Sequence, residues 1–180
     1  MMKKIIIGFF IVAGFCIWLP TSHFASGQTN ETIIIGRARA IDGDTIMVWQ
    51  KGFYKGKGIK IRLYGLDAPE MDSRAGVIAK KAMAQLLTKN QSWVACRTIN
   101  RDVYHRWVAI CYFGRQPLAK NNNSINLSML RLGYAFAYRY FLRLDNFRDY
   151  LSAERYAQKS NLGFWADKNF VRYYRNKKNF

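Results

Sequence analysis

Acidic residues are scarce in this chain. Of its 180 residues only 11 are Asp or Glu against 29 Lys or Arg, so the formal net charge is +18 with both histidines neutral. A balance this one-sided excludes an ordinary metabolic enzyme. It concentrates polyanions, which puts nucleic acid or an anionic membrane surface ahead of acidic proteins as partners. Charged residues of either sign make up 22% of the chain and hydrophobic ones 50%, so enough apolar surface exists to offset the backbone entropy lost on folding. Disorder is thereby excluded. No internal repeat is visible, no apolar run reaches the roughly 20 residues that span a bilayer, and the length suits one domain.

The longest apolar run, Ile5 to Leu19, follows Lys3 and Lys4 and precedes Pro20 and the small, polar stretch Thr21 to Gln28. This order reads as a secretory signal. Ala25-Ser26-Gly27 puts small side chains where a signal peptidase inspects them, so residues 1–27 are assigned to a signal peptide and residues 28–180 to the domain. An uncleaved N-terminal anchor is the alternative. A lipid on Cys16 is disfavoured because Phe15 stands where a small residue is needed. The expected location is periplasmic or extracellular, or membrane-anchored if the signal is retained, with no stable membrane association after cleavage. Cys96 and Cys111 then remain, in two strand-like stretches joined by a hairpin. An oxidising compartment would let them form a disulfide; the alternative is two buried free thiols. Matches to N-x-[ST] begin at Asn30, Asn122 and Asn126, and they matter only where glycosylation occurs.

From Thr32 to Ile41 the chain is β-branched and then alternates, with Arg37 and Arg39 on one face and Ala38 and Ala40 on the other, the period of a strand. Asp42-Gly43-Asp44 is a turn signal before a second strand, Thr45 to Trp49. Lys55-Gly56-Lys57-Gly58 marks another turn. Beyond it Ile59, Ile61 and Leu63 alternate with Lys60, Arg62 and Tyr64, which directs the Arg62 guanidinium away from the core. Pro69 closes this segment. Ser73 can cap a helix running to about Lys89, with Ile78, Ala79, Ala82, Leu86 and Leu87 as its apolar stripe. Strands are expected over Ser92 to Thr98 and Arg106 to Phe113, a short helix over Ile125 to Leu132 stopped by Gly133, and a third helix over Asn146 to Ser160 with Tyr150, Ala153 and Ala157 on one face. Five short strands and three helices fit an α+β domain on a small barrel.

Five of the scarce acids, Asp42, Asp44, Asp67, Glu70 and Asp72, fall in one short region. A hard cation such as Ca²⁺ takes carboxylate and carbonyl oxygens, and Asp44 with Asp67 could form half a shell open to water. Glu70 could then orient or deprotonate a water beside the metal. By themselves Asp-Gly-Asp-Thr and Asp-Ala-Pro-Glu are equally ordinary turn sequences. Phosphodiester cleavage adds negative charge to the phosphoryl oxygens, and planar guanidinium groups match that geometry, which brings Arg62 and Arg106 forward. The alternative for these two is a pair of solvated arginines among many.

Three segments in order, Ala40-Ile41-Asp42-Gly43-Asp44-Thr45, Ile61-Arg62-Leu63-Tyr64-Gly65-Leu66-Asp67-Ala68-Pro69-Glu70 and Asp102-Val103-Tyr104-His105-Arg106, resemble the staphylococcal nuclease (thermonuclease) family. The later Leu132-Gly133-Tyr134-Ala135 and Asn161-Leu162-Gly163-Phe164-Trp165 look similar too, so the resemblance covers about Thr32 to Trp165. It implies a five-stranded OB-fold β-barrel with three α-helices. It also implies a Ca²⁺-dependent nuclease that hydrolyses DNA and RNA without strong sequence preference, cutting on the 5′ side of the phosphodiester to leave 3′-phosphate ends. Carried over by position, Asp44 and Asp67 are the carboxylate ligands of Ca²⁺ and the Ala68 carbonyl a third ligand, with Asp42 a supporting acid near the metal. Glu70 is the general base or water-positioning carboxylate, and Arg62 and Arg106 are the phosphate-binding, transition-state-stabilising arginines. Tyr104 lines the nucleotide pocket, and Tyr138 and Tyr140 match substrate-side tyrosines after a one-residue shift.

Departures from the pattern are specific. His105 stands where the family has glycine, so a positive φ there would strain or reshape the turn that carries Arg106. His105 is read as a turn residue rather than a catalytic one. The segment Met71 to Gly76 is short, and the loop around Asn121-Asn122-Asn123 is long. Half of the aromatic residues lie between Tyr134 and Phe180, interleaved with arginines, a composition that suits stacking on single strands. Most of these rings are expected in the core, Phe164 and Trp165 among them, with a nucleic-acid role reserved for Tyr138, Tyr140 and Tyr173. Arg175 to Lys178 reads as a solvated tail. Two other functions compete with the nuclease. One is a non-catalytic OB-fold module that binds single-stranded nucleic acid; the other is a basic membrane-active protein, for which no amphipathic surface of sufficient length exists. No obligate protein partner is evident.

Overall fold

The structure is a computed structural model that describes residues 32–50, 58–116, 124–142 and 144–178. The signal assignment with Cys16 and Asn30, the Lys55-Gly56-Lys57 turn and the Asn121-Asn122-Asn123 loop lie outside the described residues.

The alternation beginning at Ile33 does form a strand. β1 (Ile33–Ala40) exposes every second side chain and buries the others, so Ile34, Ala38 and Ala40 face the core while Arg37 and Arg39 face out. There the two guanidiniums lie over the Trp93 and Trp49 rings. β2 (Thr45–Gln50) pairs antiparallel with β1, and β3 (Ile59–Leu63) with β2. β5 (Trp93–Arg101) and β6 (Trp107–Phe113) form an antiparallel hairpin. Parallel pairing of β3 with β6 and antiparallel pairing of β1 with β5 close the barrel in the order β1-β2-β3-β6-β5. Closure satisfies both edges of the sheet, and the inward set Ile34, Ile46, Val48, Ile61, Leu63, Val94 and Ala109 fills it. This is the five-stranded α+β barrel expected.

Within the hairpin, Cys96 and Cys111 are directly opposed, with Cα atoms 4.0 Å apart, and are joined by a disulfide. Register shifts between Thr98 and Asn100, a bulge that re-aims the loop leading to Arg106.

α1 (Arg74–Lys89) starts at Ser73, whose hydroxyl accepts from the Gly76 amide at 3.0 Å. Its buried stripe is Gly76, Ala79, Ala82, Met83 and Leu87. Ile78 is exposed, contrary to the expected stripe, because the contact with the barrel is centred on Ala79 and Met83. α2 (Ile125–Arg131) is locked to the barrel by Asn126, whose amide donates to the Tyr64 and Ala109 carbonyls at 2.9 and 3.2 Å and whose oxygen accepts from Cys111 N at 3.0 Å. Fully buried and engaged, Asn126 is no acceptor for a glycan in the folded chain.

Three features correct the sequence reading. A two-residue strand β4 (Leu66–Asp67) pairs with β7 (Phe136–Ala137), within the stretch Gly65 to Pro69 that was expected only to end the third strand. Helices number four among the described residues rather than three. α3 (Leu144–Lys159), which buries Tyr150, Ala153 and Ala157 as expected, is followed by a 3-10 turn at Gly163–Ala166 and by α4 (Lys168–Lys178). The segment read as a solvated tail is the end of that helix, because Asp167 caps it and Tyr174 is buried against Phe136. Finally, Arg62 points out of the barrel but not into water: the Leu63–Asp67 loop folds over it and leaves its side chain 15% exposed.

Candidate active site

The site gathers where β2, β3, β4 and the β5–β6 loop meet. The Asp42 side chain shapes the first turn, its Oδ1 accepting from Asp44 N at 2.9 Å and Thr45 N at 2.6 Å. Gly43 lets this turn press against α1, since a Cβ there would collide with the Ala68 and Ala79 side chains. Asp44 is buried at the turn's end; its Oδ1 accepts from the Thr45 hydroxyl at 3.1 Å and its Oδ2 from Ala68 N at 2.9 Å. Burial drives the Asp44 carboxyl up to about 7, opposed by Arg62 and assisted by the neighbouring charges of Asp42 and Asp67.

Arg62 ties the two buried carboxylates together. Its Nη1 is 3.1 Å from Asp44 Oδ1 and its Nη2 3.3 Å from Asp67 Oδ1, while Nη1 also donates to the Leu66 carbonyl at 2.9 Å. Asp67 owes its place to β4–β7 pairing, where it sits opposite Phe136. A buried acid that the sequence reading left unassigned supports this pairing. Glu154 of α3 accepts from Ala137 N at 3.0 Å and faces Arg139 and Arg175 at 3.5 and 3.8 Å.

Glu70 stands at the rim, its side chain 67% exposed. Its carbonyl accepts from the Ser73 hydroxyl at 2.7 Å and the Ser73 amide at 3.1 Å, which fixes the backbone that presents the carboxylate. Gly76 makes this possible, since a Cβ there would overlap the Glu70 carbonyl. Lys178 of α4 reaches Glu70 Oε1 at 3.2 Å and Asp67 Oδ2 at 3.3 Å, and the Tyr174 hydroxyl donates to Asp67 Oδ2 at 2.5 Å. Burial works against the Lys178 ammonium, but Asp67 and Glu70 outweigh it and hold its pKa above the usual lysine value. Burial, reinforced by Asp67, also pushes the Tyr174 hydroxyl far up, so it remains a neutral donor.

Arg106 approaches from the β5–β6 loop. Asp102 organises that loop, accepting from Tyr104 N at 3.0 Å, Arg106 N at 2.9 Å and Arg106 Nε at 2.7 Å. Partial burial raises the Asp102 pKa, but these bonds more than offset it and hold the carboxyl below its ordinary range. Asp102 lies in a recognised segment yet had no assigned role; three acceptor contacts within four residues are its signal. The Arg106 guanidinium comes within 3.5 Å of the Thr45 hydroxyl and 5.4 Å of the centre of the Tyr104 ring.

His105 has φ +59, so the side chain does sit in the left-handed region that the glycine would occupy without cost. Arg106 is nonetheless held. Relieving this conformation by His105→Gly is expected to stabilise the fold by about 0.5–1 kcal/mol, the left-handed penalty less the added freedom of glycine in the unfolded chain. Urea unfolding measures it. A midpoint that falls instead would show that the imidazole makes a compensating contact.

Arg62 and Arg106 face a common cleft of about 440 Å³, whose wall includes Tyr104, Tyr138, Leu66 and Val103. Tyr104 is 76% exposed, presenting its ring to whatever enters. Tyr140 lies outside the cleft wall, on the surface, and so does Tyr173. Arg62 thus belongs to both the cleft and the carboxylate cluster. That cluster offers hard oxygen donors, the buried carboxylates of Asp44 and Asp67, with the Ala68 backbone held against Asp44 through its amide. Among the described residues no group of three or more His, Cys, Asp or Glu is placed to hold a metal by side chains alone. The donor set therefore fits a hard divalent cation that keeps much of its water, and not a soft or fully protein-caged one.

Residues 60–167 match the family model described as staphylococcal nuclease homologue. The chain belongs to the staphylococcal nuclease family. Within that family it is 34% identical over 128 residues to an uncharacterized endonuclease of Haemophilus influenzae, an alignment covering 71% of this chain and 64% of that protein. It is 32% identical over 133 residues to a micrococcal nuclease of Shigella flexneri, covering 73% and 72% respectively. The chain thus spans somewhat less than two thirds of the Haemophilus relative. The family match includes Arg62, Asp67, Glu70 and Arg106 and stops at the residue that caps α4.

Proposed function

We propose that the protein is an exported, Ca²⁺-dependent phosphodiesterase that hydrolyses DNA and RNA without strong sequence preference and leaves 3′-phosphate ends. The observation that carries this reading is the position of Arg62, which grips both buried carboxylates and at the same time walls the cleft shared with Arg106. The net charge of +18 and the exposed Tyr104 ring suit a polyanionic, base-bearing substrate.

A phosphodiester in the cleft would meet two guanidiniums. Arg106, aligned by Asp102, and Arg62 donate to the non-bridging oxygens, whose negative charge grows as a fifth oxygen approaches phosphorus. Glu70 accepts a proton from the attacking water, a new P–O bond forms, and the bond to the 5′-oxygen breaks. The departing 5′-oxygen takes a proton from solvent water, Glu70 returns its proton to solvent, and the phosphate stays on the 3′ side. Asp44, Asp67 and the Ala68 carbonyl would hold Ca²⁺, which supplies Lewis-acid stabilisation of the phosphoryl charge when bound. Tyr104 stacks or packs against the adjoining base.

Digestion of single-stranded DNA and RNA by purified protein, with Ca²⁺ and with chelator in parallel, tests the reading. Cleavage of both polymers to 3′-phosphate ends is expected with Ca²⁺ and none with chelator. Binding that persists in chelator, with no cleavage in any divalent metal, would instead identify a nucleic-acid-binding barrel.

A further inference from the structure

α4 begins where the family match ends. The match stops at Asp167, whose carboxylate accepts from the amides of Asn169 and Phe170 at 3.0 Å and so starts the helix Lys168–Lys178. Although basic and aromatic, this helix is firmly seated. Tyr174 is 4% exposed, its ring stacked 4.6 Å from that of Phe136, and Arg175 lies 5.0 Å over Trp165. Tyr174 and Lys178, one turn apart, share a face, and both end on the same atom. The hydroxyl donates to Asp67 Oδ2 at 2.5 Å and the ammonium lies 3.3 Å from it, while Lys178 also reaches Glu70 Oε1 at 3.2 Å. Arg62 takes the other oxygen, Oδ1.

We propose that α4 is a working part of the active site, in which Tyr174 is a positioning residue for the metal-binding carboxylate of Asp67 and Lys178 is an internal counter-cation that an arriving divalent metal displaces. The inference rests on the metal-dependent reading above. Its two residues act by different physics. A neutral hydroxyl anchored in a buried aromatic stack orients Oδ2 without cancelling its charge, as outer partners of metal ligands do. The ammonium carries a full charge on a flexible stem with its side chain 28% exposed, so it neutralises Asp67 and Glu70 yet can swing away. Tyr174 therefore favours the metal and Lys178 opposes it. A helix that merely braces the fold would not produce opposite signs at adjacent turns.

Calcium titration calorimetry on the purified full-length protein and four variants decides the matter. Lys178→Met, which keeps the stem and removes the charge, is expected to bind Ca²⁺ roughly fivefold more tightly, the factor equivalent to the upper range for an exposed ion pair. Lys178→Arg should remain close to wild type. Tyr174→Phe is expected to bind about tenfold more weakly, the lower end for a lost outer hydrogen bond, with an unfolding midpoint showing that the helix still docks. Asp67→Asn calibrates the site. If calcium binding depends on Asp67 but Lys178→Met and Tyr174→Phe both match wild type, α4 is a brace and this inference alone falls. Weaker binding by both variants would overturn the displacement by metal. Should wild type and Asp67→Asn be indistinguishable, the metal-dependent reading fails and takes this inference with it.

Discussion

Replacing Glu70 by Gln is expected to lower turnover on single-stranded DNA by at least about 10²-fold, the usual loss when a general base goes. The two side chains are nearly isosteric, so the change removes the capacity to take a proton and, with it, only the charge of a rim-exposed ion pair to Lys178. Burial of this side chain contributes little to the fold, because it is exposed at the rim, where it pairs with Lys178, and the backbone contacts of residue 70 run through its carbonyl to Ser73 and past Gly76. Circular dichroism and the unfolding midpoint should therefore stay close to wild type while kcat collapses. Near-normal turnover in a folded Glu70→Gln protein would remove Glu70 from the chemistry and leave water activation to be assigned elsewhere.

Arg106→Ala is expected to cost at least about 10²-fold as well, in kcat more than in KM, because the guanidinium is aimed at charge that develops only as the new bond forms. The geometry separates this from a folding defect. Arg106 is held by Asp102 at 2.7 Å, but Asp102 also accepts from the backbone amides of Tyr104 and residue 106, and both bonds survive the substitution. The loop therefore keeps its shape without the side chain. Arg106→Lys should not restore the rate, since an ammonium cannot present two parallel donors to a phosphoryl group. A lysine variant with full activity would show that charge alone suffices at this position, and the bidentate argument would fail.

These two predictions use residues that could be picked out before any coordinates. Strict alternation marked β1, the Ser73 cap marked α1, the acid-bearing turns stood out because acids are rare in so basic a chain, and Arg106 was marked by its place in a segment that resembles the staphylococcal nuclease family. The first three signals are local: a side-chain period, a capping hydroxyl, or a turn residue writes its effect within a few positions. For His105 the signal came from the family resemblance, which has glycine at that position, and the backbone adopts φ +59 there.

Other features were not legible. A strand of two residues has no period to detect, so β4 and β7 escaped notice although their pairing is what seats Asp67. Arg62 was correctly placed on the outward face, yet its near-burial depends on a loop that folds back over that face. The end of α4 resembles a solvated basic tail by composition; the Asp167 cap and the burial of Tyr174 are what make it helix.

By itself, then, the sequence determined the barrel's strands, the first helix, the basic character and the residue types that the proposed site draws on, because periodicity, capping and charge are properties of short segments. Tertiary structure decided which of those residues meet. It joined Asp44 and Asp67 through one guanidinium, put Arg62 and Arg106 on one cleft, and brought Tyr174 and Lys178 onto Asp67 across more than 100 residues of chain. Contacts of that sequence separation arise from closing the barrel and burying Tyr174 against Phe136, and no local pattern encodes them.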